Sequence, residues 1–209
     1  MAITDAVARI NQIESLVQRS IDPATPPPAF EPALTAASPA PADAVMAPTA
    51  APASLAQLPA APPDAAAGSR ALAYAEADVG QGEEPPGSND GPRIALYRSA
   101  VAGSAPGQPW CADFVSWAAR QAGAPIGDGG RGLGSVAGIA DWAQRTGRLL
   151  PAGAQPQPGD LILFGDEHVG MVESVAPDGS LTTVEGNYAQ AVSRVHRSPY
   201  EATGYVRLS

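Results

Sequence analysis

The chain contains a single cysteine, Cys111, and its surroundings mark it as a candidate nucleophile. It follows Pro109-Trp110 and opens the segment CADFVSWAARQAG, whose apolar spacing predicts a helix from Cys111 to Ala122. A thiol reacts as its thiolate, and the positive end of a helix macrodipole favours a negative sulfur. The unpaired N–H groups at the same helix start could also receive a developing oxyanion. Because the sequence has no second cysteine, it excludes an internal disulfide and a multi-cysteine zinc site.

A cysteine nucleophile needs a general base, and the sequence offers two histidines. His168 opens a predicted strand directly after the polar turn Gly165-Asp166-Glu167, where its side chain could project from a sheet edge into a cleft. His196 lies in the alternating segment VSRVHR, and its position there predicts a solvent-exposed side chain. His168 is therefore the predicted base.

The base in turn needs a polar partner that fixes its tautomer. Glu185 and Asn187 end the strand that follows the His168 strand across the predicted hairpin turn Asp178-Gly179. Antiparallel neighbours place the end of one strand beside the start of the other, so Glu185 is predicted to reach His168. Asn187 lies two residues further on, and Gly186 is expected to free the backbone between them.

These residues need elements that bring a helix start and two strands together, and the polarity pattern predicts such elements. Up to Pro158, apolar residues recur at three- and four-residue steps, which predicts helices over Arg70–Val79, from Pro92 onward, over Cys111–Ala122 and over Val136–Arg145. After Pro158 the period changes to two, which predicts strands at Asp160–Phe164, His168–Val175, Leu181–Glu185, Val192–Arg197 and Gly204–Leu208. The fold class is predicted as α+β, with N-terminal helices packed on an antiparallel sheet of about five strands.

The sequence before residue 68 differs in composition from the rest. Residues 1–20 carry one apolar stripe at helical spacing, which predicts a short amphipathic helix that docks on the domain or on an assembly partner. Residues 21–67 are rich in proline and alanine and predict a disordered linker. A catalytic domain is then predicted over residues 68–209.

Charge and hydropathy exclude several classes of function. The net charge is −9 and all 12 basic residues are arginine, which argues against nucleic-acid binding and against a polybasic membrane contact. No apolar run approaches the about 20 residues that span a bilayer, so no transmembrane segment is predicted. Residues 1–20 also lack the successive basic, apolar and small-residue regions of a secretory signal peptide.

Four segments of the chain occur together in the order found in one enzyme family: PWCADFVSWAARQAG, GIADWAQRTGRLLP, PQPGDLILFGDEHVGMVESV and TTVEGN. Through them the chain resembles CHAP domains, cysteine, histidine-dependent amidohydrolases and peptidases that cut peptidoglycan. The resemblance implies a papain-like fold of the NlpC/P60 type. It implies Cys111 as nucleophile, His168 as base and then acid, and Glu185 as the group that orients His168. Asn187 matches a fourth polar position of the site.

The resemblance also bears on residues around the reacting groups. Trp110 is expected to line the substrate groove, whereas Trp117 is expected in the core and Asp160 in a structural turn.

Some members of the family bind calcium near the site. Asp90, Asp166 and Glu167 are the acidic candidates here, but their spacing forms no recognisable calcium loop. The prediction is therefore that the protein uses neither a metal nor another cofactor.

Three functions stay open on the sequence alone. The leading one is a peptidoglycan hydrolase, either an N-acetylmuramoyl-L-alanine amidase or an endopeptidase. The alternatives are a cytoplasmic thiol amidohydrolase with a different substrate and a non-catalytic module that binds the wall or a partner. The leading function predicts an extracytoplasmic location in the cell wall, reached without a signal peptide, and the second predicts a cytoplasmic one.

Overall fold

The computed structural model describes residues 66–208. The predicted helix 1–20 and all but the last two residues of the predicted linker 21–67 lie outside this range, so both stay predictions. The described part begins with four helices: α1 (Ala67–Ala77), α2 (Pro92–Arg98), α3 (Cys111–Gln121) and α4 (Val136–Arg145). Within residues 66–208, none of the helices combines the length and apolarity that crossing a membrane requires.

An antiparallel sheet follows the helices. Its six strands in the described part are β1 (Leu149–Pro151), β2 (Leu161–Phe164), β3 (His168–Val175), β4 (Leu181–Tyr188), β5 (Ala191–Arg197) and β6 (Gly204–Val206), in the spatial order β1-β6-β2-β3-β4-β5. The predicted α+β class is confirmed, and each of the five predicted strands is present. The additional strand is β1, which pairs with β6. It is three residues long and ends in proline, so it has no alternation by which to recognise it.

The main core lies between the helices and one face of the sheet, where α3 packs against α1, β3 and β4. Its largest side chains are aromatic and fully buried, and they contact one another through edge-on and stacked rings: Tyr97, Trp110, Phe114 and Trp117. A smaller apolar cluster covers the opposite face of the sheet, formed by Ile162, Val172, Leu181, Ala202 and Tyr205. Helix α3 is therefore held between α1 and the sheet by the buried apolar surface of the main core.

The approach of α3 to β4 depends on Gly186. A β-carbon at this position would lie 2.6 Å from Cβ of Phe114, closer than real carbon atoms approach. The left-handed backbone conformation belongs to the next residue, Asn187, with a φ of 61°. The expectation that Gly186 frees the backbone is therefore wrong, because the glycine is needed for space and the unusual φ falls on its neighbour.

Candidate active site

Cys111 is the first residue of α3, as predicted, and only 5% of its surface is exposed. The first hydrogen bond of the helix runs from the Phe114 N–H to the Trp110 carbonyl at 2.9 Å. The N–H groups of Cys111 and the two residues after it therefore precede the helical hydrogen-bond ladder and form its positive end. A negative sulfur at this position is stabilised by that end of the helix.

His168 lies between Cys111 and Glu185, at the start of β3. Its Nε2–H donates to Oε2 of Glu185 at 2.8 Å, and Cys111 lies close enough to the same ring to raise its pKa. Burial lowers the pKa of His168, but the hydrogen bonds and charges of Cys111 and Glu185 outweigh it and raise the pKa to about 9. The imidazolium form is therefore favoured at neutral pH. The ring also stacks on Phe164, with centroids 5.7 Å apart.

Glu185 is fully buried near the end of β4 and accepts hydrogen bonds from three side chains. Besides His168, Arg197 donates through Nε at 2.8 Å and through Nη2 at 2.7 Å, and the Thr183 hydroxyl donates at 2.6 Å. Burial raises the pKa of Glu185, whereas the bonds from Arg197, His168 and Thr183 lower it, with a net result of about 2. Glu185 is thus a carboxylate at any pH at which the protein would act.

Arg197, the last residue of β5, belongs to the site although the sequence did not single it out. Its bidentate pair with Glu185 is the geometry in which a guanidinium binds a carboxylate best. The guanidinium also lies over the rings of Phe164 and Tyr188, 4.5 and 5.2 Å from their centroids, and pairs with Glu201 at 3.1 Å. The signal in the sequence is only an arginine on the polar face of a strand, which by itself predicts a solvated side chain.

Asn187 contacts the start of α3 instead of the histidine. Its Oδ1 accepts the backbone N–H of Trp110 at 3.2 Å, and its Nδ2 donates to Glu83 and to Asn89 at 3.1 and 2.9 Å. No hydrogen bond joins Asn187 to His168 in the described part of the chain. Glu83, which the sequence did not indicate, also accepts the indole N–H of Trp110 at 3.1 Å, so this network fixes the residue before the nucleophile.

The expectation that Trp110 lines the substrate groove has to be corrected. Its side chain is fully buried, stacked on Tyr97 at 5.5 Å and edge-on to Phe114 at 6.5 Å. The indole therefore presents no surface to a substrate and instead packs in the core beneath the N-terminus of α3, against Tyr97 and Phe114. Trp117 lies in the core, as predicted, with 2% of its surface exposed.

The remaining predicted residues form no hydrogen bond with the reacting pair in the described part of the chain. His196 is exposed on β5, as its alternating strand predicted. Asp160 is buried in a turn, where its carboxylate pairs with Arg207 through two hydrogen bonds of 3.1 and 2.8 Å, in agreement with a structural role. Asp90, Asp166 and Glu167 do not assemble into a metal site: residues 66–208 contain no group of three or more histidine, cysteine or acidic side chains able to hold an ion.

Two surface cavities meet beside the reacting pair. One, of about 410 Å³, is lined by Cys111 and by Asp113 of α3, and the other, of about 460 Å³, is lined by His168 and Arg197. Glu167 lines both, so the two cavities adjoin at this residue.

Comparison with known proteins bears on the same residues. No curated protein matches the sequence. A crystal structure of an N-acetylmuramoyl-L-alanine amidase from Staphylococcus aureus is similar at 21% sequence identity and a TM-score of 0.39. The similarity covers 53% of this chain and 34% of the amidase, so it spans about a third of that protein. The CHAP domain family model matches residues 103–187, a range that includes Cys111, His168, Glu185 and Asn187 but not Arg197. The predicted resemblance to the CHAP domain family is thereby confirmed for residues 103–187 of this chain.

Proposed function

We propose that the protein is a peptidoglycan hydrolase that cleaves an amide bond of wall peptides, with Cys111 as nucleophile and His168 as general base and acid. The observation that carries the proposal is the position of His168, which is hydrogen-bonded to the buried carboxylate of Glu185 and lies close enough to Cys111 for the two groups to interact. Nucleophile, base and orienting group are the three parts of a thiol acyl-transfer site. The match of residues 103–187 to CHAP domains supports the choice of peptidoglycan as substrate.

The proposed reaction begins from a thiolate and an imidazolium, a pair that the raised pKa of His168 favours. The Cys111 sulfur attacks the amide carbonyl, and the oxyanion that forms is stabilised by the unpaired N–H groups at the start of α3. His168 then gives its proton to the leaving amine as the carbon–nitrogen bond breaks, which leaves a thioester. A water molecule, deprotonated by His168, attacks the thioester, and the products are a carboxylate and the restored Cys111–His168 pair.

Glu185, Arg197 and Asn187 act in this proposal by positioning. The carboxylate of Glu185 holds the His168 ring and stabilises its positive charge, and Arg197 keeps that carboxylate ionised in a buried setting. Asn187 fixes the backbone before Cys111, so that the thiol and the first N–H groups of α3 keep one orientation.

The test of the proposal is turbidity loss of purified bacterial sacculi. Cys111→Ala and His168→Ala should each abolish it, because one removes the nucleophile and the other the proton carrier. His196→Ala is the matched control, since it removes the other histidine, which is exposed on β5, and should retain full activity. Full activity of a folded Cys111→Ala protein would refute the mechanism. Hydrolysis of soluble amides with no action on sacculi would instead refute the substrate.

The scissile bond is either the amide between sugar and peptide or a bond within the peptides. Mass spectrometry of fragments released from defined peptidoglycan distinguishes them, because an amidase frees intact stem peptides and an endopeptidase leaves shortened ones. The same proposal places the protein in the cell wall, where its substrate lies, with residues 1–20 as the contact to an assembly partner. Cell fractionation tests this location, and recovery of the protein only from the cytoplasm would contradict it.

A further inference from the structure

The smaller apolar cluster of the sheet borders a surface groove of about 500 Å³. The groove is formed by the β1–β2 loop, the hairpin between β3 and β4, the connection from β5 to β6 and the strand residues next to them. Among residues 66–208, none of those that line it is charged. Its walls are mainly apolar or aromatic: Pro156, Val175, Leu181, Pro199, Tyr200 and Tyr205. Such a groove favours an uncharged occupant, because a charged one would lose its water without gaining a partner.

Tyr200 lies at this groove with 95% of its surface exposed. It belongs to the short turn Pro199–Glu201, which begins with a capping box. The Ser198 N–H donates to the Glu201 carboxylate at 2.7 Å, and the Ser198 hydroxyl accepts the Tyr200 N–H at 3.4 Å. These reciprocal bonds and the fixed φ of the proline hold the backbone of the turn. The tyrosine ring is therefore presented to solvent from a defined position beside the groove.

A proline-rich segment of the same chain lies just before the described residues. Leu58–Pro63 has the sequence LPAAPP and contains no charged residue. Prolines favour the polyproline II conformation, which repeats every three residues, so Pro59 and Pro62 would present their rings on one face. Segments with this PxxP spacing bind grooves lined by aromatic residues, because a chain that is already extended loses little conformational entropy on binding. The segment therefore matches the groove in both charge and side-chain chemistry.

The start of the described chain lies within reach of the groove. Gly68, in the first turn of α1, packs against the β1–β2 loop, where a β-carbon on it would lie 3.0 Å from the Gly159 carbonyl oxygen. Pro156 of the groove is three residues from Gly159, a span of at most about 11 Å. Pro63 precedes Gly68 by five residues, which cover up to about 18 Å when extended. The segment can therefore reach the groove without any change in the domain.

We propose that Leu58–Pro63 docks in this groove of its own chain as an extended proline-rich strand, with Tyr200 as its exposed aromatic contact. The chain's own segment is favoured over a separate partner because a short tether gives it an effective concentration in the millimolar range. The groove shares no lining residue with the cavities at Cys111 and His168, so the docked segment would not fill them. Docking would limit the free part of the predicted linker to residues 21–57.

Paramagnetic broadening in NMR spectra of the full chain tests the proposal. A nitroxide label is attached to Ala56→Cys in a Cys111→Ala background, where it has a single attachment site. Because broadening falls steeply with distance from the label, docking should cause loss of the amide signals of Gly153 and Gly179, which line the groove. Tyr200→Ala should restore most of both signals, since it removes an aromatic contact that the fold itself does not use.

Tyr188→Ala is the matched control, because it removes another exposed tyrosine that lines a different cavity, and the broadening should persist in it. Pro59→Gly combined with Pro62→Gly changes only the segment and should restore the signals as Tyr200→Ala does. Circular dichroism establishes that each variant is folded. Absence of broadening in the full chain, or broadening that survives in Tyr200→Ala or in the double proline variant, would overturn the proposal. Equal broadening of an isotope-labelled chain by a separate spin-labelled chain would also overturn it, because the groove would then bind the segment of a second copy.

Discussion

Replacing Arg197 by methionine should reveal how much the protein depends on the buried charge of Glu185. Methionine keeps an unbranched apolar stem against the Phe164 and Tyr188 rings but removes both hydrogen bonds to the carboxylate. Removing one partner of a buried ion pair leaves an uncompensated charge, so we expect the free energy of unfolding to fall by about 3 kcal/mol near neutral pH.

The pKa of Glu185 gives an independent magnitude. In the folded protein it is lowered from 4.5 to about 2, so the ionised carboxylate contributes about 3 kcal/mol wherever both folded and unfolded states are ionised. This contribution is complete above pH 4.5 and is lost as the pH falls through 2. In Arg197→Met the pKa of Glu185 rises, and much of the contribution is absent at every pH. The difference between wild type and variant should therefore shrink from about 3 kcal/mol near pH 7 to about 1 kcal/mol near pH 3.

Urea unfolding at these two pH values measures the effect, and Arg194→Met is the matched control. Arg194 lies on the same strand and pairs with Glu173 at 2.7 Å, but half of its side chain is exposed. Exposed pairs contribute little, so this variant should lose less than about 1 kcal/mol at either pH. Equal losses for the two variants, or a loss in Arg197→Met that does not change with pH, would refute the assignment of a buried, ionised Glu185.

Three further predictions concern the same region. Glu185→Gln should move the NMR titration midpoint of His168 from about 9 toward 6.5, because a neutral amide no longer favours the imidazolium. In the wild type, protonation of His168 stabilises the fold fully below pH 6.5, and this stabilisation is lost as the pH rises through about 9; in the variant it should be smaller and lost at a lower pH. An unchanged midpoint would contradict the pairing of Glu185 with His168. Gly186→Ala should lower the free energy of unfolding by about 1–3 kcal/mol in urea, because its methyl group would lie 2.6 Å from an α3 side chain, whereas Gly153→Ala, which meets no atom within 4 Å, serves as the tolerated control. Asn187→Ala should slow hydrolysis of sacculi while the His168 midpoint stays near 9, and a shifted midpoint would show that the asparagine acts on the histidine after all.

The sequence was sufficient where local pattern and chemistry coincide. Val136–Arg145 and His168–Val175 have the predicted bounds, and the hairpin between β3 and β4 brings Glu185 to His168 as antiparallel pairing requires. These features depend on hydrophobic periodicity, on one turn signal and on two residues only 17 positions apart in the chain. Such short-range patterns can be recognised in the sequence without knowledge of the fold.

The features that the sequence did not reveal depend on register and on distant contacts. The inward direction of Arg197 follows from its pairing opposite Leu181 in the β4–β5 ladder, whereas alternation alone makes it one more polar residue on a strand. Glu83 lies in a turn-rich stretch and meets Asn187 across 104 positions. The burial of Trp110 likewise depends on Tyr97, which belongs to another helix. None of these contacts leaves a periodic signal along the chain.

The segment Glu185-Gly186-Asn187 touches both halves of the candidate site at once. Glu185 is hydrogen-bonded to His168, Gly186 leaves the space into which the Phe114 side chain of α3 packs, and Asn187 accepts the backbone N–H of the residue before Cys111. The length of this segment therefore sets the spacing between the two reacting groups. Inserting or deleting a single residue would reverse which face of the strand each side chain occupies and would separate all three contacts together. A change in the length of this strand end should therefore harm the site more than a substitution at any one of the three positions.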